Sequence, residues 1–174
     1  YGIGRAVFSE QAAIALEGEP TRVALTPLTR TRTFGVAVSL APRNTTVVYE
    51  GDATGNLNLI ETLTLPEPVL ELRTSRLTAD QLPDLLALTH SAVSVATGIG
   101  EHTFSTPVAF GLGSDLAGVV AADMDGDRLT DVACVDRATR RLIVLGNAAG
   151  EKTSWPAVYA VGIDPRGLAV HDVT

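Results

Sequence analysis

Apolar residues in this chain come in short runs broken by polar turns, and the runs recur at a nearly fixed interval. Leu116–Ala122, Val132–Val135 and Leu142–Leu145 form one series, followed by Ala157–Val161. An earlier series places Leu85–Leu88 and Val93–Ala96 in the same order, followed by Thr106–Phe110, and a still earlier one places Val36–Val38, Thr46–Gly51 and Leu57–Leu65. The run Ala12–Leu16 fits the same frame as an outer strand. Glycines that close the third run, Gly146, Gly98, Gly51 and Gly2, are spaced 48, 47 and 49 residues apart. Four short strands per unit of about 48 residues is the signature of a propeller blade. The pattern therefore predicts an all-β chain, a partial β-propeller of four-stranded blades. The frame assigns residues 1–20 to the outer half of a blade, 21–67, 68–114 and 115–165 to whole blades, and 166–174 to the first strand of another.

Between the first two runs of the third blade lies Asp123-Met124-Asp125-Gly126-Asp127-Arg128-Leu129-Thr130-Asp131. Calcium takes six to eight oxygen ligands, from carboxylates and backbone carbonyls on a tightly curled loop. Asp123, Asp125, Asp127 and Asp131 supply such carboxylates at loop positions 1, 3, 5 and 9, and the carbonyl of Leu129 adds a fifth ligand group. Gly126 lets the backbone curl without a Cβ clash. Four acids this close repel one another unless a cation sits between them, so the loop reads as a calcium site. An EF-hand is excluded because position 6 is Arg128, position 12 is Cys134, and the flanks are β-rich rather than helical. The bland alternative is an acidic surface turn. In the second blade the same positions hold Arg76, Thr78, Asp80 and Asp84, and in the first Pro27, Thr29, Thr31 and Gly35. A positive charge at the first position predicts that the 76–84 loop takes no cation.

An apolar strand, Asp-x-Asp-Gly-Asp-x-x-x-Asp, Val-Ala and then Leu-Ile-Val-Leu-Gly-Asn make the third unit similar to the FG-GAP/VCBS family of β-propeller repeats, which includes the integrin α-subunit head. Cys134-Val135-Asp136 stands where many members carry Gly-Ala-Pro. The resemblance implies a surface or secreted location, and protein or glycan partners. It points to a non-catalytic, calcium-stabilised recognition or adhesion module. Two alternatives belong to other classes: a structural repeat of an extracellular fibre or envelope assembly, and an accessory propeller of a larger enzyme. The frame starts and stops in mid-blade, so completion by further blades of the same chain or by a neighbouring subunit is expected.

Composition narrows this only a little. A net charge of −7, with 20 acids against 12 Arg and the single Lys152, argues against a nucleic-acid surface. No stretch of eighteen apolar residues occurs, so no membrane span is expected. A lone cysteine, Cys134, rules out an internal disulfide and reads as a small core hydrophobe. No nucleophile elbow, zinc spacing or phosphate loop is found, and His90, His102 and His171 fall in different units. His171-Asp172 matches Ala122-Asp123 and is a candidate start of another metal loop. Trp155 with Pro156 and Tyr159 reads as filler between blades or as a partner anchor. Arg30 and Arg32 read as a solvated strand face. Asn44-Thr45-Thr46 fits the N-glycosylation pattern.

Overall fold

The computed structural model describes residues 13–28, 34–52, 56–80, 82–149 and 156–171. Trp155, Asp172, Arg30, Arg32 and Lys152 lie outside them. No helix occurs among the described residues, and fourteen strands run in chain order. The first sheet is a meander of β1 (Glu19–Pro27), β2 (Phe34–Ala41), β3 (Thr45–Gly51) and β4 (Leu57–Thr64). The second contains β5 (Glu71–Ser75), β6 (Asp84–Leu88) and β7 (Ala92–Ala96). A two-stranded hairpin, β8 (Gly98–Gly100) and β9 (Thr103–Phe104), then interrupts before β10 (Val108–Gly111) completes it. The third is β11 (Leu116–Ala122), β12 (Asp131–Asp136), β13 (Arg141–Leu145) and β14 (Ala157–Ala160). All pairings are antiparallel. The chain is all-β, and its three four-stranded sheets are built as blades of a partial propeller.

Strand alternation explains why the sheets stack. Successive side chains of a strand point to opposite faces, so a strand buried on both sides reads as a continuous apolar run. β6 is such a strand: Leu85 and Ala87 pack with Leu28, Ala37, Val48 and Leu63 of the first blade. Leu86 and Leu88 point the other way, into a cluster with Val119, Val132, Cys134 and Ile143 of the third. Every residue of β6 and β7 is buried, as the middle blade of three requires. Burial pushes the Cys134 thiol up to about 12, so it stays protonated as a core group.

The innermost strands lie side by side and are laced together. Thr74 Oγ1 donates to the Leu25 carbonyl at 3.1 Å, and Arg22 donates to the carbonyl of Leu70. Glu71 accepts from the Val119 amide at 3.2 Å. The far face of the first blade carries exposed Val23, Leu25 and Leu59. The run Ala12–Leu16 departs from expectation, since residues 13–16 are not strand. Leu16 instead packs on Leu40, Val47 and Tyr49, where apolar contact substitutes for pairing. Residues 166–171 likewise form no strand and pass beside Gly118 of β11.

Candidate metal centre

The β11–β12 hairpin closes on the pair Ala122 and Asp131, leaving residues 123–130 to form the loop. Gly126 and Arg128 both have positive φ, at 84° and 71°. These two left-handed residues curl the chain over its own carboxylates. Asp123 receives the amides of Gly126 at 2.7 Å and Arg128 at 2.9 Å, one on each oxygen. Asp125 accepts from the Asp127 amide at 3.1 Å, and Asp127 from that of Leu129 at 2.8 Å. Asp131 is 3% exposed and ties the loop to the blade, accepting from Met124 N at 2.9 Å and Asn147 N at 3.0 Å.

Oxygens of Asp123, Asp125 and Asp131 lie within 4.8 Å of one another. Calcium–oxygen bonds of 2.3–2.6 Å put two ligands of one ion at most about 5 Å apart, so the spacing fits a single hard cation. The donor set fits as well, being all oxygen, with lone pairs left over after the backbone bonds. Asp127 is not a member of this group; its Oδ1 is engaged with the Leu129 amide. The structure thus brings three of the four predicted carboxylates together. Exposure divides them, with Asp123 and Asp125 open to solvent and Asp131 buried.

The second blade has the same loop with different contents. Asp84, fully buried, accepts from Leu77 N at 2.6 Å and Thr78 N at 3.1 Å on one oxygen, and from Gly98 N at 2.8 Å on the other. Asp80 accepts from Leu82 N at 2.8 Å, as Asp127 does from Leu129 N, and also from the Thr78 hydroxyl. Asp80 and Asp84 therefore repeat the backbone work of Asp127 and Asp131. Arg76 and Thr78 occupy the positions of Asp123 and Asp125, so the two blades differ at the two exposed acids of the triad.

Two contributors were not evident from sequence. Thr130 Oγ1 donates to the Arg76 carbonyl at 2.8 Å, joining the acidic loop to the neighbouring blade. Asn147, a landmark of the repeat, supplies the amide that fixes Asp131. The histidines stay apart: His90 lies 3.8 Å from Asp115, His102 lies 3.4 Å from Glu50, and His171 is exposed. Pro156 and Tyr159 are exposed. Asn44 sits in the β2–β3 turn at φ 53° and is half-buried.

No curated protein matches the sequence. The family model of the FG-GAP-like repeat matches residues 76–134. The matched segment opens on the first position of the second blade's loop and runs through the acidic loop into β12. It is longer than one repeat and takes in both versions of the loop. Over these residues, about a third of its length, the chain is similar to the FG-GAP-like repeat.

Proposed function

We propose that this β-propeller-like chain is a calcium-stabilised, non-catalytic recognition module that works outside the cell. The observation that carries the reading is the convergence of Asp123, Asp125 and Asp131 on one point of a loop. That loop is already shaped by its own backbone hydrogen bonds. Asp123, Asp125 and Asp131 would hold the ion, with Asp127 and the Leu129 carbonyl as further oxygen donors. When bound, calcium supplies charge neutralisation rather than reactivity, so its effect is on the order and rigidity of the loop. Extracellular calcium modules bind at roughly 0.1–1 mM, a range filled outside cells and nearly empty in cytosol. Partners would be proteins or glycans reading the loop surface around the ion.

Calorimetric titration of calcium into chelator-treated protein tests the metal. One site with a Kd of roughly 0.1–1 mM is expected, and at least tenfold weaker binding after Asp125→Ala. No binding at millimolar calcium, or equal binding by the variant, would overturn the assignment.

A further inference from the structure

Among the described residues, the β8–β9 hairpin occurs in the second blade, and its seven residues bridge to the first blade. The base is closed by Ser105, whose amide donates to the Thr97 carbonyl at 2.7 Å and whose hydroxyl accepts from Thr97 N at 2.9 Å. Asp84 holds the amide of Gly98. At the other end Phe104 is buried in the cluster between the first two blades, and its amide donates to Glu61 of β4 at 2.8 Å. Between these anchors, at the hairpin turn, His102 adopts φ 64° and faces Glu50 of β3 across 3.4 Å. The Nδ1 atom is shielded from solvent and makes no hydrogen bond, although a carboxylate oxygen is beside it. The pair is thus placed for an interaction that the neutral ring leaves incomplete.

We propose that His102 and Glu50 form a pH-operated clasp that fastens the β8–β9 hairpin to the first blade when the imidazole is protonated. Histidine is the side chain whose charge changes between pH 5 and 8. Proton uptake from solvent makes both ring nitrogens donors and places a full positive charge 3.4 Å from the Glu50 carboxylate, so the contact becomes an ion pair. Further acids stand on the elements that flank the pair. Glu61 stands on β4, Glu101 precedes His102 in the turn, and Asp52 follows β3, where it binds Asn56. The hairpin joins the third and fourth strands of its blade, at the end where Asp84 fastens the β5–β6 loop. Clasping therefore stiffens that end of the second blade against the first.

The test is hydrogen–deuterium exchange of the intact chain at pH 8 and pH 5.5, with rates corrected for intrinsic chemical exchange. Protection of amides 98–104 should rise about threefold at the lower pH, the size of a partly exposed ion pair. The rise should shrink in high salt. Asn is the substitution for His102, because it tolerates positive φ and does not titrate. In His102→Asn and in Glu50→Gln the pH response of these amides should vanish, while protection of β12 stays unchanged. An unchanged response in both variants, or none in the native chain, would overturn the clasp.

Discussion

Two buried aspartates with opposite charge behaviour show what the acid at the end of the hairpin loop does. Burial pushes the Asp136 carboxyl up, but hydrogen bonds from Thr139, Ala138 and Ser114 outweigh it and leave it below the ordinary value. Asp84, held by three amides, is nevertheless raised, because burial outweighs the bonds from Gly98, Leu77 and Thr78. An amide at position 84 offers one acceptor oxygen where three N–H groups need two. Asp84→Asn should therefore cost about 1–3 kcal/mol, the penalty for stranding a buried donor, measured by urea denaturation. The sign of the pH effect follows from the raised value. A carboxyl whose folded pKa exceeds its unfolded one contributes stability that is full below the unfolded pKa and lost as pH rises through the folded one. The gap between native protein and Asp84→Asn should widen as pH falls from 6 towards 4. A gap that narrows instead would mean that the three amides dominate.

At the scale of the element, the same position explains how the first blade differs. Strand registry pairs Thr26 with Gly35, Ser75 with Asp84 and Ala122 with Asp131. Where the other blades fasten the loop with a carboxylate, the first has a glycine, and Leu28 fills the space. A Cβ on Gly35 would run into the Tyr49 carbonyl and the Leu28 side chain. Gly35→Ala should lower the melting temperature more than Gly126→Ala does in chelator, because a Cβ on Gly126 meets open space and only its backbone angle is strained. Alternation and period made the blade strands legible, as in β6, where both parities are apolar and each faces a neighbour. The β8–β9 hairpin was not legible, since Gly98-Ile99-Gly100-Glu101 has no apolar alternation and its order comes from Phe104 and Glu61. In the acidic loop, spacing identified the carboxylates but treated all four alike. All four accept local amides, but the curl of the loop brings only Asp123, Asp125 and Asp131 together.

For the whole molecule, the question is whether a cation held on one loop is felt by three blades. Asp131 carries the connection, because its oxygens bind the start of its own loop and the amide of Asn147 beyond β13. Thr130 extends it to the second blade through the Arg76 carbonyl. Asp125 has no such role; among the described residues its carboxylate accepts the amide of Asp127, two residues away and exposed. Removing its carboxylate therefore separates metal binding from loop structure. A ligand that binds only the folded state at ten times its dissociation constant adds about 1.4 kcal/mol. In a chain of this length that amounts to about 3–6 °C in Tm. Asp125→Ala should lower Tm by about that amount in millimolar calcium and leave it unchanged in excess chelator, as read by calorimetry on both proteins under both conditions. An equal loss with and without calcium would show that Asp125 serves the hairpin by hydrogen bonding, and that the acidic loop is held by its backbone alone.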